Sequence, residues 1–113
     1  MLHRASIDIR RIREGLGLSY EGKGRLLDVS GRTAERMEEL GRPPRRAAVA
    51  DRLGQLAQIV ELGQLVYTPD GWREFLMLPQ PRFEGRTAMQ LLERGELGRV
   101  LAALATDYEG APT

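Results

Sequence analysis

Few residues in this chain are of a type that could carry out a reaction. The single histidine, His3, lies in an amino-terminal stretch expected to be poorly ordered, where neither a general base nor a metal ligand would be held in place. The segment Gly22-Lys23-Gly24 has a faintly phosphate-binding look, but it lacks P-loop spacing and the Ser/Thr that would follow. Glu38-Glu39 is a carboxylate pair late in a charged helix, where a solvated face is the simpler reading than an acid/base couple. There is no cysteine, which excludes thiol catalysis, disulfides and cysteine-ligated metal. The residues therefore describe a protein that is not an enzyme and calls for no cofactor and no metal.

What remains is surface and charge. The chain has 113 residues and a net charge of only +1, a length that suits one domain or two small subdomains. The charge is unevenly spread. Residues 1–52 hold 12 Lys+Arg against 8 Asp+Glu, and residues 53–113 hold 5 against 8, so a basic front half precedes an acidic back half. Lys23 is the only lysine; codon preference explains the excess of arginine more simply than phosphate recognition does. No apolar run is long enough to span a membrane, and MLHRASIDIRRIRE has no apolar core of the signal-peptide kind, so the expected location is the cytoplasm.

The elements that position these residues are all helical: strand-like alternation is nearly absent and apolar residues recur at three and four. Ser6, Ser19 and Ser30 can cap three helices, the first carrying Ile9, Ile12 and Leu16 to Gly17, the second ending at Leu27, the third running through Met37 and Leu40 to Gly41 and Pro43-Pro44. The longest helix spans about Arg45 to Tyr67. Its stripe Val49, Leu53, Leu56, Val60 widens with Ile59, Leu62, Leu65 and Val66, as expected of a core face or a self-association seam. Thr68-Pro69-Asp70 starts a helix bearing Trp72, Phe75 and Leu76, which Leu78-Pro79-Gln80-Pro81 must end. Phe83 follows on a loop closed by Gly85. Thr87 and Gln90 form a capping-box pattern for a helix with Met89 and Leu92, and Gly95 breaks it. A last helix, about Glu96 to Tyr108, carries Leu97, Val100, Leu101, Leu104 and Tyr108, and the tail beyond is expected to fray.

Two segments resemble a known family. Leu16 to Leu40 reads as a helix-turn-helix in which Gly24 allows close helix approach, and LSYEGKGRLLDVSGRTAERM resembles the Xre, repressor-like version of that motif. It departs from it at Asp28, which stands for the usual turn glycine, at Ala34, and at Met37. The third helix would offer Arg32, Thr33 and Arg36 to DNA, with Arg25 and Ser30 nearby, while Glu35, Glu38 and Glu39 would repel phosphates. The second segment, Trp72 to Gly110, resembles the toxin-binding region of the MbcA/ParS/Xre antitoxins. Its matching residues are Trp72, Leu76, Pro79, Phe83, Gly85, Met89, Leu92, Val100, Leu104 and Gly110; Ala88 stands where that family usually has proline.

The resemblance implies an all-α fold in three stretches: a degenerate helix-turn-helix over 1–44, a connecting core helix over 45–67 and a toxin-binding region over 68–113. It implies an antitoxin of a type II system that binds a RES-domain toxin, one that degrades NAD or transfers its ADP-ribose, and inhibits it by occluding the NAD site, and that also represses its own operon. Operator DNA and a homodimer within the complex are the further partners. The toxin-facing residues would be Trp72, Pro79, Phe83 and Arg86, with Tyr108, Glu109, Gly110, Ala111, Pro112 and Thr113 as an acidic tail to which Asp107 adds charge. Trp72, Phe75 and Phe83 also have a plainer use as core, since a small domain has few large residues to bury. The alternative reading is a helix-turn-helix DNA-binding regulator without a toxin partner.

Overall fold

The computed structural model describes residues 9–42 and 46–110. Among these residues there are seven α-helices and no strand: α1 (Ile9–Gly15), α2 (Tyr20–Leu27), α3 (Gly31–Leu40), α4 (Ala47–Val66), α5 (Pro69–Met77), α6 (Ala88–Glu93) and α7 (Leu97–Glu109), with a 3-10 turn at Pro81–Phe83 between α5 and α6. His3, the Ser6 cap, Pro43, Pro44, Arg45, Ala111, Pro112 and Thr113 lie outside the described residues. The chain forms two compact units whose boundary falls between Ala57 and Gln58, inside α4.

In the first unit the caps occur where the hydroxyl residues predict them. The Ser19 side chain accepts from the Gly22 amide, and Ser30 accepts from the Thr33 amide. Each supplies an acceptor to one of the amide donors a helix start otherwise leaves unpaired, a contribution of about 1 kcal/mol. Gly41 ends α3 with φ of 67°. Asp28 ends α2 in the same left-handed region, with φ of 61°, which explains how this chain does without the turn glycine. Helices α2 and α3 pack closely, and α1 packs on α3. At the tightest point a Cβ on Gly24 would stand 2.6 Å from the Val29 carbonyl oxygen, so the close approach requires glycine. Ile9, Ile12, Leu16, Leu26, Leu27, Ala34, Met37, Val49, Leu53 and Leu56 are buried. Arg52 on α4 donates to the Leu26 carbonyl, satisfying an acceptor in the last turn of α2.

In the second unit Thr68 caps α5, accepting from the Gly71 amide, with Pro69 at the first helical position. Thr87 and Gln90 make a complete capping box on α6. Gly63 on α4 has no room for a side chain, because a Cβ there would stand 2.2–2.5 Å from three carbons of the Trp72 ring. Trp72 stacks on Phe75 at 5.6 Å, and Phe83 meets Phe75 edge-on at 6.4 Å. Ile59, Val60, Leu76, Ala88, Met89, Leu91, Leu92, Leu97, Val100, Ala103 and Leu104 complete the buried set. The widened stripe of α4 is thus mostly interior; Leu65, 68% exposed, is the member that faces out. Tyr108 does not share the buried face of α7 and is 56% exposed, because α7 turns its Leu97, Val100, Ala103 and Leu104 side inward.

Candidate functional site

The two units present different groups. In the first, the centre of interest is inside. The Lys23 side chain is fully buried and its Nζ donates to Glu38 Oε2 at 2.8 Å. Arg13 donates to both oxygens of the same carboxylate, at 2.5 and 3.2 Å, and also to the Leu18 carbonyl. The Glu38 side chain is only 2% exposed. The expectation of a solvated Glu38-Glu39 face is therefore corrected at Glu38, which points into the helix-turn-helix. Nor is Lys23 available to a phosphate. Burial works to raise the Glu38 carboxyl, but the hydrogen bonds from Arg13 and Lys23 outweigh it and hold it below the ordinary carboxylate value. Burial lowers the Lys23 ammonium, an effect that Glu38 only partly offsets.

With Glu38 turned inward, the outer face of α3 carries Arg32 and Arg36 with Glu35 and Glu39, all exposed, and Arg25 is exposed on α2. Ser30 and Thr33 are exposed too, but their hydroxyls are bonded to each other at 3.0 Å as part of the cap.

In the second unit the loop between α5 and α6 is built to a fixed shape. Gln80 and Arg86 pair across it, the Gln80 amide donating to the Arg86 carbonyl at 3.0 Å. The Gly85 amide donates back to the Gln80 carbonyl, with Gly85 at φ of 83°. The Gln80 side chain donates to the Phe75 carbonyl, anchoring the loop to α5. Two arginines then fasten it to α7. Arg99 donates to both oxygens of Glu84 and to the Arg82 carbonyl, each at 2.9 Å. Arg82 donates to the two oxygens of Asp107, each at 2.8 Å, and its guanidinium lies over the rings of Phe75 and Phe83. Tyr67 donates its hydroxyl to Asp107 as well. Arg82 is the main reason the Asp107 carboxyl sits below its usual value, and burial, reinforced by Asp107, raises the Tyr67 phenol.

The residues expected to face a toxin divide accordingly. Trp72 and Phe83 are buried and shape the surface from beneath. Pro79 is exposed and continues an apolar strip of Met77, 55% exposed, and Leu78, 54% exposed. Arg86 is half-buried in the loop, with Glu84 at 4.0 Å. Tyr108, Glu109 and Gly110 are exposed at the end of α7. Asp107, read as free acidic charge in the tail, is instead engaged by Arg82 and Tyr67. Sequence reasoning passed over both ion clusters. The hint for the first was a lone lysine between two glycines on a helix otherwise equipped with arginine; the second, joining residues 25 apart, carried no local signal.

The first unit thus carries the helix-turn-helix pair α2 and α3, and the second exposes the apolar strip Met77-Leu78-Pro79 and the end of α7. No protein-family profile and no curated protein matches the chain. Among solved structures it is similar, over 99% of its length and 100% of the other's, to a chain of the crystal structure of the M. tuberculosis MbcT–MbcA toxin–antitoxin complex, with 28% sequence identity and a TM-score of 0.73. The likeness supports the MbcA-like antitoxin family for this chain, the family its residues resemble.

Proposed function

We propose that the chain is the antitoxin of a type II system, a non-enzymatic inhibitor that binds a RES-domain toxin and occludes its NAD site. The observation that carries this reading is the end-to-end similarity to a chain of a toxin–antitoxin complex. The exposed strip Met77-Leu78-Pro79 suits a docking surface, since apolar side chains left in water favour burial against a partner. Beyond it, Tyr108 and Glu109 stand clear of the packed part of α7 and can reach into a cleft built for a dinucleotide. The acidic charge is supplied by Glu109 rather than Asp107.

The test is co-expression with the RES-domain toxin encoded beside the chain. The full chain restores growth. Truncation after Asp107 keeps the Arg82 contact and, of the described residues, removes only the exposed Tyr108, Glu109 and Gly110, so the helical content and thermal midpoint stay near those of the full chain while protection is lost. Excess NAD weakens the purified complex by competition. The absence of any such neighbouring reading frame, or full protection by the truncated chain, overturns the reading.

A second activity is favoured by the inward turn of Glu38, which removes one repelling carboxylate from the outer face of α3. In this reading Arg25, Arg32 and Arg36 bind the operator upstream of the chain's own gene, through contacts that weaken steeply with salt. Glutamates at 32 and 36 abolish the operator shift without affecting toxin neutralisation. A gel shift with no retardation at low salt, even for the toxin complex, sinks it.

A further inference from the structure

We propose that Arg82 is a positioning residue for inhibition: by gripping Asp107 it sets the last turn of α7 against the 80–86 loop, so that Tyr108 and the Pro79 strip meet a partner as one surface of fixed spacing. The proposal rests on the reading of the chain as a toxin inhibitor, and names the contact that gives that inhibitor its shape.

Three observations carry it. First, the contact is a two-pronged one, each terminal guanidinium nitrogen donating to a different carboxylate oxygen at 2.8 Å, a geometry that fixes orientation as well as distance. Second, Arg82 is itself held. Its Nε donates to the Gln80 side chain at 2.7 Å, its guanidinium rests on Phe75 and Phe83, and its carbonyl accepts from Arg99. A surface pair normally spends its attraction on ordering two mobile side chains; here one partner is ordered beforehand. Third, among the described residues no apolar side chain in the last turn of α7 is buried. The buried residues of α7 stop at Leu104, and Thr106, Tyr108, Glu109 and Gly110 are exposed. The Asp107 carboxylate, gripped by Arg82 and Tyr67, therefore takes the place of an apolar anchor in the final turn. A turn ordered before binding does not have to be ordered during it, which strengthens association.

The experiment has two arms on the full chain. In the first, amide hydrogen exchange is compared between wild type and Arg82→Met, which keeps much of the apolar stem and loses the fork. Faster exchange at Tyr108 to Gly110, with α5 and α6 unchanged, is expected; equal exchange overturns the anchoring. In the second, the co-encoded RES-domain toxin is titrated with wild type, Arg82→Met, Arg82→Asp, Asp107→Arg and the charge-swapped double variant. The single variants should bind roughly five- to tenfold more weakly and leave residual NAD consumption at saturation. The double variant should recover much of the loss. Residual activity at saturation is the signature of a misplaced tail, because mere instability is overcome by adding more antitoxin. Full inhibition at saturation by every single variant, or losses that follow the unfolded fraction seen by circular dichroism, overturns the proposal. Should the double variant fail to fold, Arg82→Lys serves: a point charge without the fork should fall between wild type and Arg82→Met, and inhibition equal to wild type counts against the need for the fork. A wild type that inhibits no toxin disposes of the inhibitor reading and of this role with it, while the exchange arm still reports whether Arg82 anchors the turn.

Discussion

The two units solve the same problem with opposite materials. The first brings three short helices together around a buried lysine–glutamate pair, with Arg13 closing the open side of the carboxylate. The second does so with three aromatic rings in contact inside, one pair stacked and one edge-on, and its ion pairs outside, between arginines and acids that are all at least one-fifth exposed. A buried pair selects one arrangement strictly, because any slip strands a charge in the interior. Aromatic packing is more tolerant, and surface ion pairs orient loops at low cost.

The comparison breaks hardest at Glu38. Replacing it with alanine leaves Lys23 buried without its counter-ion, and a loss of about 3–5 kcal/mol is expected by urea denaturation. Lys23→Met with Glu38→Leu should recover part of that loss, because the buried ammonium leaves with its counter-ion while Arg13, 19% exposed, is left without the carboxylate. A Glu38→Ala variant as stable as wild type would mean that the buried pair does not hold the first unit. In the second unit the equivalent break is steric. Gly63→Ala places a methyl where the Trp72 ring lies; overpacking of about 1–3 kcal/mol outweighs the roughly 1 kcal/mol by which alanine favours a helix. Trp72 fluorescence should shift with it.

Acid sharpens the contrast. Glu38 and Asp107 both have folded-state values below the ordinary one, so their contribution is complete above the usual carboxylate range, about pH 4, and is lost as pH falls through the depressed values. Protonation deletes no atoms, so the loss should be smaller than in the Glu38→Ala variant. Acid titration of an Asp107→Asn variant should retain the Glu38 part of the loss and lack the other. The smallest effect is expected at Leu65. Leu65→Glu should change stability by no more than about 0.5 kcal/mol, since the side chain is already in water. If this face of α4 joins two copies, light scattering should nonetheless show the variant as a monomer beside a dimeric wild type; a monomeric wild type at tens of micromolar removes the seam.

Local chemistry was legible from the sequence to within a residue or two. Ser19, Ser30, Thr68 and Thr87 cap the helices they precede because a hydroxyl beside free amides needs no distant partner. Gly24 was legible as a contact glycine for the same reason: the turn that brings Val29 close is only a few residues away. What escaped is what depends on partners far along the chain. Glu38 looked like surface charge until Arg13 and Lys23 were seen to converge on it, and Asp107 looked free until Arg82 claimed it. The loop at 80–86 was expected, but its inward-facing Phe83 and its two arginine fastenings follow from tertiary packing. At the candidate site Pro79, Tyr108 and Glu109 are exposed, whereas Trp72 and Phe83 are buried. The sequence pattern marks all five and cannot distinguish the two placements.

The bond between Tyr67 and Asp107 joins residues 40 apart, against 15 and 25 for the two contacts that lock the first unit. Closing a longer segment sacrifices more chain freedom before any contact repays it, so pairings between neighbours in sequence are favoured early and this one late. The end of α7 is thus expected to take shape late and to open early, which amide hydrogen exchange of its last turn would show. Interactions formed after the folding barrier slow unfolding without hastening folding. Replacing Asp107 is therefore expected to shorten the lifetime of the finished shape more than it slows the reaching of it.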